Sequence, residues 1–143
     1  INRRLGFRFQ AREIAWPEVV SVKGTPFEIR WSWANAGVAP CLADAYPCLT
    51  VKDEKGGVQA VLVDSAFNLR SLPVAAPGQA PAKAHRFTVR LGRWAAPTFK
   101  TGVFTVYVSV GKVDGTPVYE LPLPGADGHR RYKVGTIEFK ERN

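Results

Sequence analysis

Alternation with period two runs through this chain and restricts it to β-structure. From Gly102 to Gly111, Phe104, Val106, Val108 and Val110 fall on one side while Thr105, Tyr107 and Ser109 fall on the other. A strand with one buried face requires that pattern, because successive side chains point to opposite faces of a sheet. Phe27, Ile29, Trp31 and Trp33 alternate in the same way with Glu28, Arg30 and Ser32, as do Phe87, Val89 and Leu91 with Arg86, Thr88 and Arg90. Six further runs have strand composition: Leu5 to Arg12, Glu18 to Val22, Cys48 to Asp53, Val58 to Val63, Pro117 to Leu121 and Lys133 to Lys140.

Punctuation between these runs fits many short strands. Asp53-Glu54-Lys55-Gly56-Gly57 and Val113-Asp114-Gly115-Thr116 carry hairpin-turn chemistry. The 11 prolines and 13 glycines are spread along the whole length, which leaves little room for helices. Leu72 to Lys83, with Pro73, Pro77, Gly78 and Pro81, cannot pair continuously and must cross between sheets or wrap an edge. Nine short strands suit two packed sheets better than a barrel enzyme. The expected fold class is therefore all-β, an immunoglobulin-like antiparallel β-sandwich. With 143 residues, 45% of them hydrophobic, residues 1–143 are read as one domain with its own core. There is no internal repeat and no low-complexity tail. The chain starts at Ile1, has no Met and has no apolar run approaching a membrane span. It is expected to be an excised piece of a larger protein.

A formal net charge of +8 raises the question of a polyanionic partner. The basic residues are scattered, with Arg3 and Arg4 early, Arg86, Arg90 and Arg93 central, and Arg130, Arg131 and Lys133 late. No run forms that could track a phosphate backbone, so neither nucleic acid nor membrane is expected as a partner. Cys41 and Cys48 could be bonded if the segment between them folds back to within about 7 Å, or could be reduced, partly buried thiols. The sequence leaves both open.

Catalytic signatures are missing. The acidic residues lie mostly at turns or outward strand positions rather than as a pair facing a cleft. His85 and His129 have no metal-ligand spacing, and no nucleophile elbow, phosphate loop or dinucleotide fingerprint is present. The expectation is a protein that is not an enzyme and holds no cofactor; a structural calcium would suit the fold, but no Asp-rich ligand ladder indicates one.

Four Trp, four Tyr and eight Phe point instead to binding, because the apolar C–H face of a pyranose packs on a flat ring while adjacent polar groups take its hydroxyls. Trp31 and Trp33 share the apolar face of their strand and are read as core. Trp94, in the loop-like Gly92-Arg93-Trp94-Ala95-Ala96-Pro97, is the first platform candidate. Tyr46 beside Pro47 is either a loop anchor or a second ring. Tyr107 lies on an outward strand position that another part of the fold could cover. Trp16, before Pro17, reads as a lid on a strand end. Arg93, Asp44 and Arg70 are the polar groups nearest these loops, and 127–132 is read as a turn that could add to a rim. The candidate carbohydrate-binding set is therefore Trp94, Tyr46, Arg93, Tyr107, Asp44 and Arg70.

Leu5-Gly6-Phe7-Arg8-Phe9, Trp16-Pro17-Glu18-Val19, Trp33-Ala34-Asn35-Ala36-Gly37-Val38-Ala39-Pro40, Tyr46-Pro47 and Tyr132-Lys133-Val134-Gly135 together resemble a bacterial family of uncharacterised β-sandwich domains. Those domains commonly follow a (β/α)-barrel domain of glycoside-hydrolase type. The resemblance implies a C-terminal accessory domain of a secreted or periplasmic, polysaccharide-active protein. No binding residues come with the family, so none are transferred. The leading expectation is a non-catalytic carbohydrate-binding module that tethers a glycoside hydrolase to a plant-type polysaccharide and so raises its local concentration. Its partners would be that polysaccharide or an oligosaccharide and the catalytic domain of the same chain. A structural sandwich docked on the barrel through Arg8, Arg12, Arg30, Arg86 and Arg90 is the alternative, followed by an adhesin-like protein binder.

Overall fold

The computed structural model describes residues 8–21, 26–37, 39–75, 79–90 and 101–140. Among them lie nine strands: β1 (Phe9–Ala15), β2 (Val19–Ser21), β3 (Phe27–Asn35), β4 (Tyr46–Lys52), β5 (Val58–Val63), β6 (Lys83–Val89), β7 (Gly102–Gly111), β8 (Pro117–Tyr119) and β9 (Tyr132–Lys140). Two of them, β5 and β7, span the very residues expected from alternation. β4 starts two residues earlier than expected, at Tyr46. The one helical element described is a 3-10 turn, Leu69–Ser71, capped by the side chain of Asn68.

Two sheets face each other. One has the order β1-β3-β6 and the other β2-β9-β7-β4-β5, with β8 paired to β7. This is an immunoglobulin-like sandwich in which the first strand is divided between the sheets: β1 pairs with β3 and β2 with β9. Pro17 lies in the crossing, where its missing N–H costs no ladder bond. The β2–β9 pair is parallel, so the second sheet is mixed rather than purely antiparallel. β2 keeps the heading of β1 across the step, and β9 shares that heading.

Alternation fills the space between the sheets. Ile29, Trp31 and Trp33 project from β3 into a cluster with Leu49, Val51, Phe104, Val106, Val108 and Val110. Trp31 and Trp33 are 1% and 0% exposed, as expected of core rings, and meet edge to face with centroids 6.0 Å apart. Each buried indole withdraws on the order of 200 Å² from water, about 5 kcal/mol of gross driving force at ~25 cal/mol per Å². The indole N–H of Trp31 donates to Asp64 Oδ2 at 3.0 Å, so its polar tip is satisfied inside the core.

The segment between β8 and β9 folds over the outer face of the second sheet. Asp127 there meets the Lys52 ammonium at 2.6 Å, with both side chains about nine-tenths buried. It also accepts from the backbone N–H groups of His129 and Arg131, which confirms the turn read over these residues. Burial pulls the Asp127 carboxyl up, but Lys52 and the two backbone donors outweigh it and leave it below the ordinary value.

Cys41 and Cys48 are separate, buried thiols. Burial pushes the Cys48 thiol up from 9.0 to about 11, partly offset by Thr50 and Ser109. Native protein at pH 8 is expected to show no reaction with Ellman's reagent, and unfolding without reductant to release two thiols per chain; a disulfide would release none. Since the folded value is the higher one, the unfolded chain ionises first, and the stability this thiol contributes is intact below about pH 9 and lost as the pH climbs towards 11. Cys48→Ala is expected to flatten the fall of the urea midpoint across that window.

Candidate functional site

Four of the residues singled out from the sequence, Tyr46, Asp44, Arg70 and Tyr107, lie among the described residues, and Tyr107 stands apart from the other three. Tyr46 opens β4 opposite Gly111 at one end of the sandwich, and Asp44 and Arg70 are at that same end. Asp44 Oδ1 receives Asn68 Nδ2 at 3.0 Å and Arg70 Nη1 at 3.2 Å. First the Asn68 amide and then the Arg70 guanidinium hold its carboxyl below the usual range. Asn68 Oδ1 also accepts from Ala45 N and Arg70 N, so these polar groups are used in fastening the approach to β4. Tyr107 is on the outer face of the second sheet, where the Lys52 ammonium stands 4.6 Å from its ring centroid. That cation over the ring takes a face that a sugar would need, and it is held there by Asp127. Arg93 and Trp94 lie outside the described residues. The strands flanking their segment end at Val89, paired with Phe27, and begin at Gly102, paired with Phe139, at the end of the sandwich opposite Tyr46. Of the four candidates among the described residues, Tyr46, Asp44 and Arg70 share one end of the sandwich, while Tyr107 stands on the outer face of the second sheet.

Trp16 occupies a different position. β1 ends at Ala15, and the chain steps across the side of the sandwich through Trp16, Pro17 and Glu18. The indole N–H donates to the carbonyl of Thr136 on β9 at 2.9 Å, and the ring lies over Gly135. A Cβ at Gly135 would stand 2.8 Å from Trp16 Cζ2 and 3.1 Å from Cη2, so the close approach requires glycine there. Half-buried and packed against the core cluster, the ring is held at its polar edge and along its length.

Open grooves flank this ring on both sides. On the β9 side a groove of about 450 Å³ has Val19 and Val103 as its apolar floor and Glu18, Thr136 and Glu138 as polar walls. Val103 is 66% exposed, although it stands on a strand whose other face is core. The backbone bond from Glu138 N to Glu18 O, 2.8 Å, ties the crossing segment just before β2 to β9 and fixes the backbones of the two glutamates beside each other. On the β3 side a groove of about 480 Å³ is lined by Pro17, Pro26, Phe27, Glu28 and Arg30. Both volumes are of the size that takes small ligands. An anchored ring between apolar floors, with carboxylates, a hydroxyl and a guanidinium within the same walls, can stack a sugar and accept or donate to its hydroxyls.

The sequence reading placed Trp16 as a lid, and it does close the side of the sandwich. What that reading missed is that the lid is also a ridge. The available signal was a glycine inside the Lys133 to Lys140 strand, which marks close approach of another group, together with Trp-Pro at a strand end.

Gly135→Ala is expected to lift the indole from β9. In ¹H–¹⁵N spectra the Trp16 Nε1–H resonance, identified by its loss in Trp16→Phe, should move upfield and exchange faster, and stability should fall by about 1–3 kcal/mol, the usual cost of overpacking.

No family model matches the chain, and no curated protein matches it. Solved structures similar to it include the CARDB domain of a Pyrococcus furiosus protein in complex with di-metal ions, with 12% identity, a TM-score of 0.46 and coverage of 94% of both chains. The β-glucosidase from Listeria innocua in complex with isofagomine is similar at 11% identity and a TM-score of 0.49, over 93% of this chain and 16% of that one. The Pseudomonas fluorescens alkylpurine DNA glycosylase AlkC, bound to DNA containing an abasic site analog, is similar at 14% identity and a TM-score of 0.45, over 93% of this chain and 30% of that one. The chain thus spans most of the first protein and a minor part of the other two. Of the family resemblance drawn from the sequence, the β-sandwich is what stands.

Proposed function

We propose that this domain is a non-catalytic carbohydrate-binding module that holds a glycoside hydrolase domain of the same chain on a plant-type polysaccharide, outside the cytoplasm or in the periplasm. One observation carries the reading: the Trp16 ring is locked against Gly135 and Thr136 as a ridge between two open grooves, each with polar side chains beside an apolar floor. A ring fixed before binding loses little conformational freedom when a sugar stacks on it, so more of the contact free energy appears as affinity. Glu18 and Glu138 on one side and Arg30 on the other are the groups placed to meet hydroxyls. Binding of this kind raises the concentration of an attached enzyme at the polymer without any chemistry by the module itself.

Affinity electrophoresis and titration calorimetry of the domain against xylan, β-glucan, mannan, galactan and pectin test the reading. Retardation by at least one polymer is expected, weakened about ten-fold or more in Trp16→Ala, a loss of about 1.4 kcal/mol or more, with the circular dichroism spectrum unchanged. Glu138→Ala should weaken it while leaving the ring in place. Trp94→Ala, in parallel, asks whether the first ring chosen from the sequence takes part. Mobility unaffected by every polymer would end the proposal.

A further inference from the structure

The outer face of the three-stranded sheet carries an arrangement that folding alone disfavours. On β3 the outward positions are Glu28, Arg30 and Ser32, and on β6 they are Ala84, Arg86 and Thr88; antiparallel register sets Arg30 directly opposite Arg86. Like charges directly opposite each other destabilise a sheet. Relief from within the fold is slight. Glu28 reaches Arg30 only at 4.0 Å, with both side chains about half exposed, a geometry that contributes little. The Arg86 guanidinium has no ion pair or hydrogen-bond partner among the described residues, whereas Arg12, nearby in the same sheet, is spent on Gln10 and the carbonyl of Ala80. Small neighbours, Ala84 and Ala15, leave the two guanidinium groups uncovered.

This pair is continuous with the Trp16 ridge. Arg30 lines the groove beside Trp16 and also a second, smaller one of about 370 Å³ that it shares with Glu13, Ala84, His85 and Arg86. A ligand that leaves the ring along β3 therefore passes over Arg30 and then over Arg86. We propose that the glycan bound at Trp16 is acidic, a polysaccharide bearing uronate carboxylates, with the ring taking a pyranose face and Arg30 and Arg86 together taking a carboxylate. Guanidinium groups suit that task because their planar fork matches a carboxylate's two oxygens. An anion between the two arginines also removes the repulsion that the empty sheet retains. The inference rests on the carbohydrate-binding reading above and adds the charge of the ligand to it.

Polygalacturonate and fully methyl-esterified pectin share a backbone and differ in charge, so the domain titrated with each separates the two ideas. Binding to polygalacturonate is expected to be ten-fold or more tighter, and to weaken steeply between 50 mM and 500 mM NaCl as the charges are screened. Arg86→Ala should reduce it about ten-fold or more while changing affinity for the esterified polymer less than two-fold. Glu28→Gln, which removes the carboxylate paired with Arg30 at 4.0 Å, should strengthen it. Equal affinity for the two polymers, or an Arg86→Ala variant that binds polygalacturonate normally, would overturn the acidic ligand while leaving carbohydrate binding intact. Failure to bind these polymers and every neutral glycan would remove the underlying reading instead.

Discussion

Two sheets attract each other without direction, because removal of apolar area from water is indifferent to how the layers are rotated or slid. In this domain the direction comes from tryptophan N–H groups at the two sides of the sandwich. On one side, Trp31 of β3 donates to Asp64 Oδ2, and His85 Nδ1 of β6 lies 2.6 Å from the same oxygen. Asp64 follows β5 and its own N–H is bound to the carbonyl of Pro47 on β4, so one carboxylate oxygen joins both sheets. A carboxylate 1% exposed is costly unless paired, which makes its position unforgiving. On the other side, Trp16 crosses from β1 and donates to Thr136 of β9.

The two outer faces have then been treated differently. Over the second sheet, the β8–β9 connection sets Asp127 against Lys52, and Lys52 against Tyr107. That face carries a buried ion pair whose two partners each depend on the other. Among the described residues, no connecting segment is hydrogen-bonded or ion-paired to Arg86 on the three-stranded sheet, and Arg30 has only the 4.0 Å approach of Glu28. The Trp16 ridge borders both sheets, and its two grooves open towards β9 and towards β3.

Much of this fold was legible because alternation is a local property. Val58–Val63 and Gly102–Gly111 were readable to the residue, and the burial of Trp31 and Trp33 followed from their sharing a face with Ile29. The parallel pairing of β2 with β9 was not, since nothing in Val19–Ser21 distinguishes a parallel neighbour from an antiparallel one; that is settled by how the chain steps past Pro17. Site residues were harder for a similar reason. Asp44 and Arg70 do meet, directly at 3.2 Å and beside Asn68, whose amide links stretches of chain more than twenty residues apart. Tyr107 was legible as outward-facing and as open to cover, but not by what, because its cover, Lys52 with Asp127, is assembled from two distant segments. Trp16 and Thr136 are 120 residues apart, and no window of sequence contains the groove that they form.

Local rules are broken at two places, and both border the same ridge. Gly135 interrupts β9 where a side chain would normally add packing, and it does so to admit the Trp16 ring. Arg30 and Arg86 oppose each other where an opposite-charge pair would have stabilised the sheet. Departures of this kind are expected where a sequence is answering to something besides its own fold. A structural role alone accounts for the first, since the ring also seals the side of the sandwich. It does not account for the second, because a single glutamate in place of Arg86 would turn the repulsion into an attraction without disturbing anything buried. An anion between the two guanidinium groups would relieve that repulsion, and the acidic glycan proposed above would supply one.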